Sequence, residues 1–314
     1  MHKKQAMEDI IGKGKIREQV DLFPYLSMRL HSIAQYFFEA KTKEELLLAI
    51  QAAHKLDLPL IVLGGGSNAV FQKSQVNGLV LKNSYSSIQA LAATDATVDI
   101  EVGSGTNMAV LVQNIAEQGL SGLEYHKGLP GTVGGAIYMN SKWLHPVCYV
   151  GDKLVSAILI DAEGKEKKVL REYFKFDYDF SILQETHELL ISAVFRLQKN
   201  DSEIVLQRAD ESIEYRKKTQ PSGVATCGCF FRNISAAEQK EHSLPTKSAG
   251  YLIDKAGMKG MQRGSFKVSD VHANFIINTG GDAKPEDLVS LVKLIKQQVK
   301  EKFGVELREE VEIM

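Results

Sequence analysis

The sequence has few cysteines, and this scarcity excludes a fold held together by disulfides. Cys148, Cys227 and Cys229 are the three cysteines in 314 residues, too few and too unevenly placed for a disulfide framework. The Cys-Gly-Cys spacing has no second pair of ligands, so a zinc site is not predicted either. We expect reduced thiols and no bound metal.

The chain also lacks a long apolar run and an excess of charge. No stretch reaches the roughly 18 apolar residues of a membrane helix, and the first residues are charged throughout, unlike a signal peptide. The 38 basic side chains balance 39 acidic ones, for a net charge of -1. This gives no electrostatic reason to expect nucleic acid or a membrane as a partner, and we expect a cytoplasmic protein.

The chain is longer than one hydrophobic core usually serves, so two domains are predicted. Strand-like segments dominate its middle, and helical periodicity with dense charge returns in SEIVLQRADESIEYRKK. We therefore place the boundary after Lys199, which gives domains 1–199 and 200–314. Residues 1–20 show no clear period, and we expect a loosely attached polar arm or a short helix there.

Helix signals mark several segments. Thr42 and Glu45 have capping-box spacing ahead of LLLAIQAAHKL, and Asn107 is suited to cap MAVLVQNIAEQ. A longer amphipathic helix is predicted to open at Pro285 and to stop at Gly304. Together with the strands, these helices predict an α+β protein.

A glycine-rich loop follows the buried strand LPLIVL. It consists of Gly64, Gly65, Gly66, Ser67 and Asn68. Glycines permit positive φ and let backbone amides converge on an anion such as a pyrophosphate. No long helix follows, so a Rossmann nucleotide site is not predicted. A glycine turn without a ligand is the alternative interpretation.

A second glycine-rich segment precedes AIYMN and contains Pro130, Gly131, Thr132, Gly134 and Gly135. A helix started by the proline would present its dipole and bare amides to a ligand, and the paired glycines would let a flat ring approach the backbone. Tight helix packing is the alternative. Two anion-suited loops in one half of a chain favour a ligand site.

These segments together resemble a known family. GGGSN and GLEYHKGLPGTVGGAIYMN are similar to the FAD-binding domain of the vanillyl-alcohol-oxidase type. YRKKTQP, CGCFFRN, SAGYLIDKAGMKG, VSDVHANFIIN and FGVELREEVEI resemble the C-terminal domain of the UDP-N-acetylenolpyruvoylglucosamine reductase (MurB) family, in its shorter type II form. The resemblance covers roughly residues 20 to 314. It implies a two-subdomain FAD-binding domain followed by a MurB-type α+β C-terminal domain.

The resemblance also implies a reaction, that of a UDP-N-acetylmuramate dehydrogenase in peptidoglycan precursor synthesis. NADPH reduces a non-covalent FAD, and the enolpyruvyl ether of UDP-N-acetylglucosamine then accepts the hydride. Protonation gives UDP-N-acetylmuramate. We expect both glycine segments to bind FAD, the UDP-sugar to be the small-molecule partner, and the protein to be a monomer.

Cys229 is the proton donor that the resemblance implies, because it stands at the serine of a G-S-x-F-K-N segment. A thiol, with an ordinary pKa of about 8.5, is mostly protonated at neutral pH and is a stronger acid than a hydroxyl. Glu310 matches the carboxyl group that assists protonation, and we prefer it to Glu309, which alternation places on the apolar side of its strand. A small buried cysteine and a solvated glutamate are the alternatives.

Substrate contacts implied by the resemblance are Tyr178, Arg216, Gln220, Arg232 and Asn233. Asp179 stands at the third catalytic position that the resemblance implies, where a family Y-R-x-S segment carries an arginine thought to hold the substrate carboxylate and to stabilise the enolate. At about 4 Å and an effective dielectric of about 20, exchanging attraction for repulsion changes the interaction by several kcal/mol. Slow turnover is therefore expected unless another cation compensates, the candidates being Arg216, Lys217, Lys218 and Arg232.

Three functions are compatible with these features. The first is the NADPH-dependent reductase. The second, favoured by Asp179, is a degenerate homologue that binds FAD or a UDP-sugar without turnover. The third is a flavin oxidase of the same superfamily, which the C-terminal motifs disfavour because they belong to the domain that binds the UDP-sugar.

Overall fold

The structure is a computed structural model and describes residues 3–314. The helices of this part of the chain are α1 (Lys3–Ile11), α2 (Lys43–Lys55), α3 (Met108–Glu117), α4 (Val133–Tyr138), α5 (Leu183–Thr186), α6 (Ser202–Thr219), α7 (Ala236–Glu241), α8 (Ala249–Lys255) and α9 (Pro285–Phe303). Within these described residues, every helix is too short or too polar to cross a membrane.

Strands of two to eleven residues are interspersed with the helices, as predicted for an α+β protein. They are β1 (Arg17–Asp21), β2 (Ile33–Ala40), β3 (Leu60–Leu63), β4 (Ala69–Val70), β5 (Gln75–Asn83), β6 (Ile88–Ala93), β7 (Thr97–Gly103), β8 (Leu120–Ser121), β9 (Lys142–Leu144), β10 (Val147–Tyr149), β11 (Leu154–Ile160), β12 (Glu166–Leu170), β13 (Leu189–Lys199), β14 (Ala225–Cys229), β15 (Gln262–Arg263), β16 (Phe266–Val268), β17 (Phe275–Asn278) and β18 (Glu312–Ile313).

The helix signals in the sequence are confirmed at three positions. The Thr42 side chain accepts the Glu45 amide at 3.2 Å at the start of α2. Asn107 caps α3 through the amides of its first turn. Helix α9 begins at Pro285 and ends before Gly304, whose φ of 73° is the left-handed conformation that glycine adopts readily. Local side-chain chemistry was sufficient for these predictions.

Residues 3–20 pack into the protein. Helix α1 lies against α2, its Met7 and Ile11 are buried, and Ile16 joins the same apolar cluster. The predicted short helix is confirmed, whereas the loose attachment is wrong, because three apolar side chains among the charges bury one face of this segment. The first two residues of the predicted arm lie outside the described residues.

The chain forms two compact units, of which the first comprises residues 3–20, Gln35–Gly65 and Asn77–Arg216. It contains two larger sheets, with strand orders β1-β2-β5-β3 and β12-β11-β13-β7-β6, and a two-stranded sheet of β9 and β10. Strands β3 and β5 pair in parallel, whereas the second sheet is antiparallel. Two larger sheets in one unit agree with the predicted two-subdomain FAD-binding domain.

The second unit comprises Asp21–Ala34, Gly66–Val76 and Lys217–Met314. A sheet of order β14-β17-β16-β15 contacts α9, and the short β4 pairs in parallel with β18. The chain passes from the first unit to the second after Arg216, which is later than the predicted boundary at Lys199. The physical reason lies in α6, which buries side chains such as Ala209 in the core of the first unit.

Candidate active site

The first glycine loop begins where β3 ends and is tied to the neighbouring strand. Leu63, the last residue of β3, lies opposite Lys82 of β5. The Lys82 ammonium donates a hydrogen bond of 2.7 Å to the Gly64 carbonyl oxygen. Burial lowers the pKa of Lys82, and the nearby charge of Glu39 acts in the opposite direction. The start of the loop is therefore held by a half-buried cation.

Close packing against the second loop explains why residues 64 and 65 are glycines. A Cβ atom on Gly64 would lie 2.7 Å from the Thr132 Oγ1, and one on Gly65 would lie 2.6 Å from the Gly131 Cα. These separations are shorter than ordinary van der Waals contacts, so a side chain would push the loops apart. The two glycine segments, predicted independently from the sequence, meet in the first unit.

The helix of the second loop begins later than predicted. Helix α4 starts at Val133 with Thr132 as its N-cap, and Thr132 Oγ1 accepts the Gly135 amide at 3.4 Å. The prediction of a helix started by Pro130 is wrong. A threonine that can satisfy an amide of the first turn caps this helix more effectively than a proline two residues earlier would.

The amides at the start of α4 are already engaged. The Val133 amide donates to the Thr106 carbonyl at 2.9 Å, and the Gly134 amide donates to the Ser104 carbonyl at 2.8 Å. The prediction that this helix presents bare amides to a ligand is therefore wrong. The turn that follows β7 uses them instead, and this binds the second loop firmly to the sheet.

Gly135 keeps the space beside the first turn of α4 open. It is exposed, and the nearest atom to a Cβ placed on it would be the Thr132 Oγ1 at 3.9 Å. Gly65 is exposed as well. A flat ring or a phosphate group can approach bare backbone at both positions, so the residues of the two loops fit a flavin nucleotide.

The remainder of the first loop belongs to the second unit. Gly66 has a φ of 64°, and a Cβ there would overlap the Tyr25 carbonyl. The Gly66 carbonyl accepts the Ser27 amide at 3.0 Å. Only glycine combines this left-handed conformation with so close an approach of the backbone.

Ser67 and Asn68 lead from the glycines into β4, and Asn68 contacts the C-terminal segment. The Asn68 Nδ2 donates to the Glu310 carbonyl at 3.3 Å, and the Glu312 amide donates to the Asn68 carbonyl at 2.8 Å. Within the second unit, a residue predicted to bind the cofactor thus supports the backbone of one predicted to be catalytic. No local pattern in the sequence indicates this contact.

A β-bulge sets the two cysteines of β14 apart. In a regular strand Cys227 and Cys229 would face the same side, but the pairing with β17 shifts register between Thr226 and Cys229, and Gly228 has a φ of 87°. Cys227 is buried, whereas Cys229 is half-buried. The bulge therefore gives the side chain of Cys229, the predicted proton donor, a different direction from the one it would have in a regular strand.

Cys227 is a poor proton donor at neutral pH. Burial raises the pKa of its thiol to about 12, and the charge of Glu310 adds to this effect. None of the three cysteines forms a disulfide, and among residues 3–314 no His, Cys, Asp or Glu side chains are grouped closely enough to hold a metal ion.

Glu310 lies beside the cysteine strand. Its amide donates to the carbonyl of Phe230, the residue after Cys229, at 2.9 Å. Glu309 instead forms an ion pair with Lys296 of α9 at 3.0 Å. The structure brings Cys229 and Glu310, two of the three predicted catalytic positions, onto adjacent segments of the second unit, and the ion pair supports the preference for Glu310 over Glu309.

Asp179 occupies a tight turn in the first unit. Its φ is 50°, and only 7% of its surface is exposed. The Gln184 side chain donates to its carbonyl at 3.0 Å. Aspartate tolerates the left-handed conformation better than most residues. The left-handed conformation of this turn therefore favours aspartate over the arginine expected from the family.

A lysine missed by the sequence reasoning lies next to Tyr178. Tyr178 is an exposed residue, and the Lys142 Nζ lies 5.3 Å from its ring centroid and 5.4 Å from that of Tyr149. Lys142 is on β9, which pairs with β10 as a hairpin. An isolated lysine has no sequence signature, and only the hairpin brings it to this position.

Arg216 lies beside the chain that leads into the second glycine loop. Its guanidinium carbon is 5.1 Å from the Trp143 ring centroid, and a Cβ on Gly128 would lie 2.7 Å from the Arg216 Cδ. Gln220 follows the end of α6 in the second unit. Arg216 and Gln220 therefore belong to different compact units.

Arg232 and Asn233 follow the cysteine strand in the second unit. The Arg232 amide donates to the Arg308 carbonyl at 2.9 Å, which continues the pairing with the C-terminal segment. The Asn233 Oδ1 accepts the Ala249 amide at 3.0 Å at the start of α8. Asn233 therefore has a structural contact in addition to its predicted role with the substrate.

His126 is a buried histidine just before the second loop. Its Nδ1 has no hydrogen-bond partner among the described residues, and its Nε2 lies 3.9 Å from the Cys148 Sγ. Burial, assisted by the positive charge of Arg216, lowers the pKa of His126 to about 3. The imidazole is therefore neutral in the folded protein, and its unpaired nitrogen is destabilising.

Replacing His126 with leucine should raise the free energy of unfolding by about 1 kcal/mol at pH 7, because an unpaired polar atom is removed. The gain should grow on acidification, since the unfolded chain binds a proton below about pH 6.5 and folded His126 does not. At up to about 1.4 kcal/mol per pH unit, the variant should gain roughly 2 kcal/mol more at pH 5.

Urea unfolding of both proteins at pH 7 and pH 5 measures this gain, with the exposed His54 as a His54→Gln control. An equal dependence of stability on pH in wild type and His126→Leu would show that His126 is not the group involved.

Comparison with known proteins identifies the family. Residues 220–314 match the family described as UDP-N-acetylenolpyruvoylglucosamine reductase, C-terminal domain, and residues 34–169 match the FAD binding domain family. The UDP-N-acetylenolpyruvoylglucosamine reductase of Chlamydia trachomatis is 36% identical over 299 residues, which covers 95% of this chain and 96% of the relative. The chain belongs to the MurB family.

Other MurB proteins support the same assignment. The reductase of Bacillus pumilus is 33% identical over 302 residues, covering 96% of this chain and 94% of its own. The crystal structure of MurB from Thermus caldophilus superposes with a TM-score of 0.76 at 30% identity, covering 95% of this chain and 99% of that one. The predicted family, fold class and FAD cofactor are confirmed.

Proposed function

We propose that this protein reduces the enolpyruvyl ether of UDP-N-acetylglucosamine to UDP-N-acetylmuramate in peptidoglycan precursor synthesis, with NADPH as the reductant. The observation that carries the proposal is the placement of Cys229 and Glu310 on adjacent segments, in a chain of the MurB family with an FAD-binding domain. When bound, FAD supplies the hydride chemistry. The protein supplies binding, orientation and one proton.

Cys229 is the group we assign to proton delivery. It is half-buried at the end of a bulged strand, so that its thiol can be reached while much of its surface is covered. Glu310 assists from the adjacent segment, where Asn68 and the Phe230 carbonyl hold its backbone on both sides. A positioned acid typically accelerates a proton transfer by roughly two to four powers of ten.

Gly64, Gly65 and the second glycine segment form the part of the proposed FAD-binding site that lies in the first unit. Gly64 and Gly65 pack against Gly131 and Thr132, which gives a rigid and bare backbone surface. Rigid backbone amides suit a pyrophosphate because they need not reorganise on binding. Gly66, Ser67, Asn68, Pro130, Gly134 and Gly135 complete the proposed set.

The substrate carboxylate needs a cation in place of the missing arginine. Asp179 is buried in its turn, whereas the adjacent Tyr178 is exposed and lies next to the Lys142 ammonium. Lys142 is therefore added to Arg216, Lys217, Lys218 and Arg232 as a candidate compensating cation. Tyr178, Gln220 and Asn233 remain in the proposed set of substrate contacts.

We further propose that the protein works in the cytoplasm as a monomer, without a nucleic-acid or membrane partner. The balance of 38 basic and 39 acidic side chains supports the part of this proposal that concerns nucleic acid and membranes, because it produces no general attraction to polyanions.

The proposed reaction is tested by a spectrum of the purified protein and by NADPH oxidation with and without UDP-N-acetylglucosamine enolpyruvate. We expect the absorbance bands of bound FAD, and NADPH oxidation that depends on this substrate. A flavin-containing protein without substrate-dependent oxidation would contradict the reductase. A protein that binds no FAD would contradict the proposed FAD-binding site as well.

Asp179 favours a second candidate, a homologue that binds FAD or a UDP-sugar with little turnover. Two variants separate the candidates. Asp179→Asn removes the negative charge and keeps a residue suited to φ > 0. Asp179→Arg introduces the positive charge of the family arginine, at a cost of about 1 to 2 kcal/mol in backbone strain. For a working reductase, we expect neither variant to raise kcat/KM more than about threefold. A gain of roughly tenfold or more in either, from a slow wild type, would favour the degenerate homologue.

A further inference from the structure

One half-buried cation in the first unit is left without a role by the proposed reaction. Lys82 is half-buried on β5, and its ammonium donates to the Gly64 carbonyl at 2.7 Å. Placing a lysine in partly apolar surroundings is unfavourable unless its charge is used. Lys82 contacts the backbone of the first glycine loop, so its effect must be exerted through that loop.

Peptide geometry determines what this hydrogen bond does. In a planar trans peptide, the carbonyl of one residue and the amide of the next point in opposite directions. Because Lys82 holds the Gly64 carbonyl on the side of β5, the Gly65 N–H is directed to the opposite side. Gly65 is an exposed residue, so an amide directed away from β5 can act as a hydrogen-bond donor to a ligand.

Without this restraint, the peptide between Gly64 and Gly65 would be able to rotate. Glycines flank it on both sides, and glycine permits both signs of φ. A rotated peptide would present a carbonyl oxygen, which repels an anion, instead of an amide, which binds one. The lysine therefore selects the anion-binding orientation of a segment that is otherwise permissive.

We propose that Lys82 is a positioning residue for the FAD pyrophosphate, acting by fixing the peptide between Gly64 and Gly65 with its N–H outward. The inference rests on the proposed function only in assigning FAD to this loop. It adds a residue outside the glycine motifs, and it explains why a charged side chain lies beneath them.

Lys82→Met should raise the dissociation constant of FAD roughly ten- to a hundredfold, the range expected when a hydrogen bond to a charged group is lost. Lys82→Arg should retain most of the affinity, because it keeps a charged donor. ADP carries the pyrophosphate without the flavin ring, so its dissociation constant should rise by the same factor as that of FAD. Lys43→Met is the control, since Lys43 pairs with Glu166 at the protein surface.

The measurement is a titration of the apoprotein with FAD and with ADP at pH 7 and at pH 10. Burial lowers the pKa of Lys82, and Glu39 of β2 is the ionisable group that opposes this shift. The affinity of the wild type should therefore fall at pH 10, whereas that of Lys82→Arg should fall less because its guanidinium stays charged. This comparison tests the proposal even if Lys82→Met does not fold.

Affinity of Lys82→Met within twofold of the wild type, or an equal alkaline loss in the wild type and Lys82→Arg, would overturn the proposal. A loss of affinity for FAD without a loss of affinity for ADP would also overturn it. None of these outcomes affects the proposed reaction, which fails only if the wild type binds no FAD or oxidises no NADPH with its substrate.

Discussion

Replacing Cys229 with alanine should lower turnover by roughly a hundred- to ten-thousandfold, the usual contribution of a positioned general acid. The reduction of FAD by NADPH should be unchanged, because that half-reaction requires no proton from the cysteine. Stopped-flow absorbance of the flavin separates the two halves. Only the reoxidation of reduced flavin by UDP-N-acetylglucosamine enolpyruvate should become slow.

Two variants make this test specific. Cys229→Ser keeps a hydroxyl donor at the same position and should retain far more activity than alanine. Cys227→Ala changes the buried neighbour, whose thiol pKa is raised to about 12, and should leave both half-reactions close to wild type. If Cys229→Ala reoxidised as fast as the wild type, or if Cys227→Ala had the larger effect, the proton would have to come from another group.

The sequence predicts this site only in part, because its signals are local. Caps such as Thr42 and Asn107 act within one turn of helix, and they were recognised correctly. Recognition of the cysteine strand depended on the family motif. The bulge at Gly228 depends on pairing with β17, and no pattern within the strand specifies it.

Contacts between distant parts of the chain account for what the sequence did not predict. The hydrogen bond from Asn68 to Glu310 joins positions 242 residues apart, and the approach of Lys142 to Tyr178 depends on the hairpin of β9 and β10. The amides of Val133 and Gly134 were expected to be open to a ligand, but the turn after β7 binds them. A glycine motif indicates that backbone is accessible without indicating which partner uses it.

The second large effect, on stability and FAD affinity, is expected from replacing glycines by alanine. These substitutions distinguish a glycine required for packing of the two loops from one required for close approach of the cofactor. Gly65→Ala places a Cβ 2.6 Å from the Gly131 Cα, so the loops must separate. Overpacking of this kind typically costs about 1 to 3 kcal/mol. We therefore expect the apoprotein to lose stability and FAD binding together, as measured by urea unfolding and by FAD titration.

Gly135→Ala should separate these two properties, because a Cβ at Gly135 would meet nothing closer than the Thr132 Oγ1 at 3.9 Å. Alanine is the better helix former by up to about 1 kcal/mol, so the apoprotein should be as stable as the wild type or slightly more so. If the flavin lies against this bare backbone, the added methyl group occupies its space, and the dissociation constant of FAD should rise tenfold or more, about 1.4 kcal/mol. A stable Gly135→Ala protein with unchanged FAD affinity would place the flavin away from α4. A stabilised apoprotein that has lost FAD would show that this glycine is kept for its ligand, because the fold alone would favour alanine.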